Sequence, residues 1–138
     1  MTVVTRPEHA ITLDMPVPFH QCDPLGVLWH GRYFEYFETA RTALLTSVGL
    51  AIPEIQELGF RMYVTEARCR YMSPLIMDDV AEVTAWFSKL SPLIRVAYDI
   101  RCRGSWVARA TTVLATTRPD GSLLTSTPDA ILDRLPSR

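Results

Sequence analysis

No stretch of this sequence is apolar over the roughly 18 to 20 residues that a membrane-spanning helix needs, and its first ten residues lack the apolar segment of a secretory signal. A charge excess of one sign is also missing. The 14 basic and 15 acidic residues leave a net charge of −1, which offers no bulk attraction to nucleic acid or anionic lipid. The three cysteines are an odd number at no metal-ligand spacing, so neither a disulfide framework nor a metal site is expected. These absences predict a soluble, cytoplasmic protein with no membrane span, nucleic-acid partner, metal or resident cofactor.

The composition that remains is that of an ordinary globular protein. The 138 residues are 48% apolar and 21% charged, and no repeat, low-complexity tract or Gly/Ser/Pro-rich linker divides them. A chain of this length buries about 68–70% of its unfolded surface on folding without needing disulfides. Residues 1–138 are therefore expected to form one domain.

Hydrophobic periodicity predicts one long helix among strands. From Gly31 to Val48 apolar side chains recur every three or four residues, with Phe34 and Leu45 widening the stripe, and Gly49 is a natural stop. Alternation predicts strands at 11–19, 63–71, 80–87, 94–103 and 106–116, with a further helical turn at 53–58. The order of one strand, a helix and four strands is typical of an α+β domain, in which the helix packs on an antiparallel sheet.

Two features of this predicted sheet point to a partner chain. Pro16 and Pro18 lack backbone donors, so the first strand is expected at an edge or in a bulge. One helix covers only one face, and the other face carries three arginines and a tryptophan: Arg95, Arg101, Arg103 and Trp86. Because exposed faces and unpaired edges favour association, an obligate homo-oligomer is predicted. His9 lies in an expected frayed end and is given no role.

A candidate for chemistry lies between the first strand and the helix. Asp23 sits in the turn Asp23-Pro24-Leu25-Gly26, and His30 follows seven residues later, at the approach to the helix. Backbone N–H groups in the first turn of a helix have no internal partners, so they can hold a carbonyl oxygen that becomes negative in acyl transfer. A nearby carboxylate could attack the carbonyl carbon or deprotonate water. Alone, the turn is also compatible with an aspartate that only bonds its own backbone.

The stretch from His20 to Arg41 resembles the hotdog-fold acyl-CoA thioesterases of the 4-hydroxybenzoyl-CoA thioesterase type. The matching residues are Cys22-Asp23-Pro24, Gly26, His30, Tyr33, Phe37-Glu38 and Ala40-Arg41, with Tyr71, Pro74 and Asp78-Asp79 further on. The resemblance implies a hotdog fold, with one long central helix packed on a five-stranded antiparallel sheet. It also implies hydrolysis of an acyl-CoA or acyl carrier protein thioester to the free acid and thiol.

The same resemblance implies roles for individual residues. Asp23 matches the catalytic carboxylate, which acts as nucleophile or general base, and the backbone at His30 and Gly31 matches the oxyanion donors. The His30 side chain could add a hydrogen bond. The pocket candidates are Pro24, Gly26, Trp29 and Tyr33. Family members assemble as homodimers or homotetramers with the pocket between protomers, and the strand around 63–71 pairs with its symmetry mate.

The thiol carrier is left open by the sequence. Some relatives hold the coenzyme A phosphates with clustered basic residues, but in Ser88–Pro92 only Lys89 is charged. Four arginines elsewhere are interpreted as solvated side chains of the outer face: Arg68, Arg70, Arg101 and Arg103.

Other interpretations of the site remain open beside Asp23. Cys22 could be a nucleophile with His20 or His30 as its base, and the same residues with Asp23 could bind a metal. Glu35 or Glu38 could be the true base, although Glu38 and Arg41 are spaced as an i,i+3 helix pair. Three tryptophans could shape an acyl pocket: Trp29, Trp86 and Trp106. At the level of function, the alternatives are a dehydratase or hydratase acting on acyl thioesters, and a non-catalytic domain that binds them.

Overall fold

The structure is a computed structural model that describes residues 6–136. Within this range the strands are β1 (Ile11–Pro16), β2 (Arg61–Tyr71), β3 (Val80–Lys89), β4 (Ile94–Cys102) and β5 (Ser105–Thr117). The helices are α1 (Tyr33–Ser47), α2 (Ile52–Glu57) and α3 (Asp129–Leu132), and 3₁₀ turns lie at Phe19–Gln21 and His30–Arg32. The prediction of one long helix and five strands is confirmed, except that β1 ends at Pro16 and Phe19 already begins a 3₁₀ turn. None of the helices within 6–136 is both long enough and apolar enough to span a membrane.

The five strands form one antiparallel sheet in the order β1-β3-β4-β5-β2. β1 is an edge strand, as its prolines predicted, and Pro16 is the last residue paired with β3. β2 is the other edge, and most of its 11 residues are exposed. The long edge strand β2 therefore presents an open row of backbone donors and acceptors.

Helix α1 covers one face of the sheet and packs chiefly against β3 and β1. Its buried residues are Tyr33, Tyr36, Phe37, Ala40 and Leu44. Phe34 is 38% exposed, so the expectation that it widens the buried stripe is wrong. At 3.6 residues per turn, Phe34 lies about 100° from Tyr33 around the helix, whereas Tyr36 lies about 60° away on the other side. Gly49 ends the helix with a φ of +76°, which confirms it as the stop.

The opposite face of the sheet is partly covered by the residues that precede β1. Arg6 donates two hydrogen bonds of 2.7 Å to the carboxylate of Asp99, which is 1% exposed. The His9 Nε2 atom accepts the backbone N–H of Phe87 at 3.0 Å, and burial lowers the pKa of His9. The expectation of a frayed segment around His9 is therefore wrong, because the side chains of Arg6 and His9 bond residues of β4 and β3 that are distant in sequence.

Candidate active site

The loop between β1 and α1 folds back on itself and brings the Asp23 segment beside the segment that enters the helix. Trp29 N–H donates to the Gln21 carbonyl at 3.1 Å, and Cys22 forms an antiparallel bridge with Leu28. Asp23 closes the turn, because its N–H donates to the Val27 carbonyl at 2.9 Å. The left-handed conformation required at the tip is supplied by a glycine, Gly26, with a φ of +82°.

The Asp23 carboxylate is oriented by this turn through one of its two oxygens. Oδ1 accepts the N–H of Leu25 at 2.8 Å and that of Val27 at 3.5 Å. Oδ2 makes no hydrogen bond with any group in residues 6–136, and the side chain is only half-buried. The turn therefore fixes the direction of the carboxylate and leaves an oxygen available to an incoming group.

Two backbone N–H groups at the start of the helix, those of His30 and Gly31, have no hydrogen-bond acceptor within residues 6–136. Trp29 caps the 3₁₀ turn without a side-chain hydrogen bond. Arg32 N–H is the first of the series to bond, to the Trp29 carbonyl at 2.9 Å. Free N–H groups at the positive end of a helix are suited to an anionic oxygen.

Gly31 is packed under the Trp29 indole. A Cβ on Gly31 would overlap three carbon atoms of that ring, so the absence of a side chain allows the indole to pack directly against the backbone. Trp29 itself is 49% exposed. The predicted pocket residue Trp29 therefore borders the two free N–H groups.

Tyr71, at the end of β2, fixes the backbone of this helix start. Its hydroxyl donates to the His30 carbonyl at 2.8 Å, and its ring meets Tyr33 edge-on at 4.8 Å between centroids. Burial, with lesser effects of Cys69 and Tyr33, raises the pKa of Tyr71 to about 12, so the hydroxyl remains a donor at neutral pH. The sequence marked Tyr71 only as a matching position, and its role as an anchor was missed because it lies 41 residues from His30.

A second loop, between β2 and β3, is hydrogen-bonded to the Asp23 turn and supports it. Leu28 N–H donates to the Leu75 carbonyl at 2.7 Å, and Val27 forms an antiparallel bridge with Ile76. Asp79 is buried and organises this loop: its Oδ2 accepts the Ile76 N–H at 2.9 Å, and its Oδ1 accepts from Arg103. The sequence signal for this support was the Asp78-Asp79 pair, to which no function had been given.

Most alternatives to Asp23 are occupied elsewhere. Cys22 donates its thiol to the Pro18 carbonyl at 3.8 Å, and Glu35 pairs with Arg32 at 3.1 Å. The expected Glu38–Arg41 pair is absent from the described chain. Arg41 instead donates to the Tyr98 hydroxyl at 3.3 Å.

Two clusters that the sequence left open as alternatives are not formed in the part of the chain that the structure describes. No three His, Cys, Asp or Glu side chains within 6–136 are arranged to hold a metal, so the interpretation of His20, Cys22, Asp23 and His30 as ligands is wrong. The tryptophans do not share one pocket, because Trp86 and Trp106 face the side of the sheet opposite α1, where Trp106 stacks with arginines.

The remaining pocket candidates lie in different environments. Pro24 and Gly26 are exposed at the tip of the turn and Tyr33 is buried in the core. Two cavities, of about 380 and 280 Å³, lie elsewhere, and neither is lined by Asp23 or His30. In one copy of the chain, the Asp23 turn is bordered instead by open surface with exposed apolar side chains, among them Leu25, Trp29, Ile76 and Met77.

The sequence is similar to a known protein family and to several named proteins. Residues 17–135 match the family model of the Thioesterase-like superfamily. Over 75 residues the chain is 37% identical to a protein of Aquifex aeolicus that carries the provisional name of an esterase, covering 54% of this chain and 59% of that one. The chain spans less than two thirds of the length of the curated relatives it matches.

Solved structures agree on the fold. The crystal structure of a hypothetical protein from Aquifex aeolicus is 29% identical, with a TM-score of 0.79, and the match covers 92% of this chain and 98% of that one. A 4-hydroxybenzoyl-CoA thioesterase variant complexed with 4-hydroxybenzoyl-CoA is 16% identical, with a TM-score of 0.82 and coverage of 93% and 99%. The predicted arrangement of one long helix on a five-stranded antiparallel sheet is thereby confirmed.

Proposed function

Because this chain belongs to the Thioesterase-like superfamily and has its hotdog fold, we propose that it hydrolyses an acyl thioester to the free acid and thiol. The observation that carries the proposal is the juxtaposition in one loop of a carboxylate with a free oxygen, on Asp23, and two free N–H groups, on His30 and Gly31. The first supplies a base or a nucleophile, and the second supplies donors for the oxyanion.

Two routes use this arrangement. As a general base, Asp23 takes a proton from water while the resulting hydroxide adds to the thioester carbon. The C–S bond then breaks, and the leaving thiolate takes up the proton. As a nucleophile, the Asp23 carboxylate adds to the carbon and expels the thiolate to give a mixed anhydride. Water then cleaves the anhydride to the free acid and the Asp23 carboxylate, and the remaining proton of that water goes to the thiolate. In both routes the carbonyl oxygen carries negative charge at the tetrahedral stage, and the N–H groups of His30 and Gly31 stabilise that charge.

The substrate class that we propose is an acyl-CoA, with an acyl carrier protein thioester as the second candidate. The name of the 4-hydroxybenzoyl-CoA thioesterase, which shares the fold, supports the first. We infer that no resident cofactor is needed, since the carboxylate and the backbone N–H groups supply both halves of the chemistry. Coenzyme A enters only as part of the substrate.

We further propose that the working enzyme is a homodimer or homotetramer with its pocket between protomers. The Asp23 turn is open on one side, and the apolar side chains around it, Leu25, Trp29, Ile76 and Met77, are between 45% and 85% exposed. A surface patch of this kind favours a protein partner. The edge strand β2 offers a place where a second copy can pair, because no strand within residues 6–136 pairs with its outer edge.

The proposal is tested by thiol release from aryl, short-chain and long-chain acyl-CoA and from an acyl carrier protein thioester. We expect Asp23→Asn to lower kcat by about 10²- to 10⁴-fold, the range typical of losing a general base. The control is Asp120→Asn: Asp120 accepts its own turn's N–H, from Ser122 at 2.9 Å, just as Asp23 accepts that of Leu25. Far-ultraviolet circular dichroism verifies the fold of both variants.

Three outcomes would contradict the proposal. Wild-type turnover in both Asp23→Asn and Asp23→Ala would remove Asp23 from the chemistry. Formation of an enoyl product without free thiol would identify a dehydratase or hydratase, and saturable binding without turnover of any thioester would identify a binding domain.

A further inference from the structure

The face of the sheet opposite α1 holds a concavity of about 380 Å³ with three arginines in its wall. The residues that matter for its chemistry are Arg68 and Arg70 of β2, Arg109 and Thr111 of β5, and Trp86 of β3. Its volume falls in the usual range for small-molecule sites, about 300–1,000 Å³. We call it the basic concavity. Neither Asp23 nor His30 lines it.

The arrangement of charge in the basic concavity is unfavourable without a ligand. Arg70 and Arg109 are directly opposed in the register of β2 and β5, and like charges at opposed positions of neighbouring strands destabilise the pair. Arg68 lies two residues from Arg70 and therefore on the same face. Three cations are thus gathered on two adjacent strands of a protein whose net charge is −1.

The nearby carboxylates pair with only one of the three arginines, Arg68. Asp99 is paired with Arg109 in the register of β4 and β5, but both of its oxygens are held by Arg6 at 2.7 Å. Glu66 is held by Arg68 at 2.7 Å. Within residues 6–136, neither Arg70 nor Arg109 has a carboxylate oxygen within 4 Å.

Other contacts make the cluster a shaped site as well as a charged one. The Arg109 guanidinium lies 5.3 Å from the centroid of the Trp106 ring, which favours a fixed position for that cation. Trp86 is half-buried in the wall and offers an aromatic surface beside the arginines. Guanidinium forks match the geometry of phosphate oxygens.

From these observations we propose that the basic concavity binds a phosphorylated ligand carrying at least two negative charges, held by Arg70 and Arg109. Two sources share this chemistry: a free organic phosphate or pyrophosphate, and the phosphates of the thiol carrier of a substrate. The second source rests on the proposed thioesterase function, whereas the first does not.

The probe is inorganic pyrophosphate, titrated calorimetrically into the full-length protein at low ionic strength and again at raised salt. We expect Arg70→Gln and Arg109→Gln each to weaken binding about tenfold or more, since each removes a charge-assisted contact. The control is Arg61→Gln, which removes an exposed arginine at the far end of the same strand. It should bind pyrophosphate like the wild type.

Thermal unfolding gives an independent readout. Without ligand, Arg70→Gln should raise the Tm by about 1–4 °C, because it relieves the opposed charges. Pyrophosphate should raise the Tm of the wild type and of Arg61→Gln, and it should have little effect on Arg70→Gln.

Competition with coenzyme A separates the two sources and keeps this proposal distinct from the thioesterase assignment. Displacement of pyrophosphate by coenzyme A at concentrations at which adenosine diphosphate does not displace it would assign the site to the carrier. Equal displacement by both compounds, or additive binding of coenzyme A, would assign it to a separate phosphorylated ligand. Binding that is unchanged in Arg70→Gln and Arg109→Gln, or absent from the wild type at low salt, would overturn the proposal. Neither result depends on whether Asp23 is catalytic.

Discussion

The buried Asp79 should stabilise the loop that supports the candidate active site chiefly through its bond to a backbone N–H. Its side chain is 4% exposed, whereas its partner Arg103 is 70% exposed. A pair with one partner in solvent contributes at most about 1 kcal/mol. By contrast, the Ile76 N–H is bonded to a charged acceptor, and removing that acceptor leaves a donor unpaired at a cost of about 1–3 kcal/mol.

These magnitudes predict an order among three variants. Asp79→Ala should lower the free energy of unfolding by about 2–3 kcal/mol, because it loses the ion pair and leaves the Ile76 N–H unpaired. Asp79→Asn retains a neutral acceptor and should cost about 1–2 kcal/mol, since charge-assisted bonds are roughly twice as strong as neutral ones. Arg103→Gln should cost about 1 kcal/mol or less.

Urea unfolding followed by circular dichroism measures this order, with the m-value checking that the unfolded states are comparable. Asp78→Asn is the matched control, because Asp78 is the exposed neighbour of Asp79 in the same loop. If Arg103→Gln destabilised the protein as much as Asp79→Ala, the ion pair rather than the backbone bond would be the main contribution. The reasoning from burial would then be refuted.

Of two further predictions, one concerns the loop around the site and the other concerns helix α1. Gly31→Ala should force the Trp29 indole off the backbone, since an added Cβ would overlap the ring. The emission maximum of Trp29, measured with the other two tryptophans replaced by phenylalanine, should shift to longer wavelength as the indole becomes more exposed. An unchanged spectrum would contradict the packing of Trp29 on Gly31. Burial raises the pKa of Tyr36 to about 12, so above about pH 10 the unfolded state loses this proton first and the free energy of unfolding falls as the pH rises towards 12. Tyr36→Phe should reduce that slope by up to about 1.4 kcal/mol per pH unit in urea titrations, and equal slopes in both proteins would count against it.

The elements that the sequence predicted are those whose signal is local. Two patterns are confirmed by the structure: the alternation from Ile94 to Cys102 and the three- and four-residue spacing from Tyr33 to Leu44. Both are reliable because side chains on one face of a strand or helix are either all turned to the core or all turned away from it. Pro16 marked an edge strand because a missing donor is a property of the residue itself. The Asp23 turn could also be predicted locally, since Gly26 readily adopts the left-handed conformation that the tip of the turn requires.

Pairings between distant residues could not be predicted in this way. Arg6 and Asp99 are 93 positions apart, and His9 and the Phe87 N–H are 78 apart. Arg41 also shows why a local rule fails. An i,i+3 pair is worth only a few tenths of a kcal/mol at a surface, and Arg41 bonds the buried Tyr98 hydroxyl instead of Glu38. Such choices depend on which elements the fold brings together.

Asp23 itself combines the two interpretations that the sequence set against each other. A turn aspartate that bonds its own backbone and an aspartate available for chemistry look like alternatives if the side chain is treated as one acceptor. A carboxylate has two oxygens and about four acceptor positions, and here the turn uses Oδ1 alone. The bond to Leu25 therefore holds the group in place, while Oδ2 keeps no hydrogen-bond partner in residues 6–136. This is why the paired variants Asp23→Asn and Asp120→Asn are informative. Both perturb the same kind of turn, so a loss of turnover that is confined to Asp23→Asn reports on the Asp23 carboxylate and not on the turn.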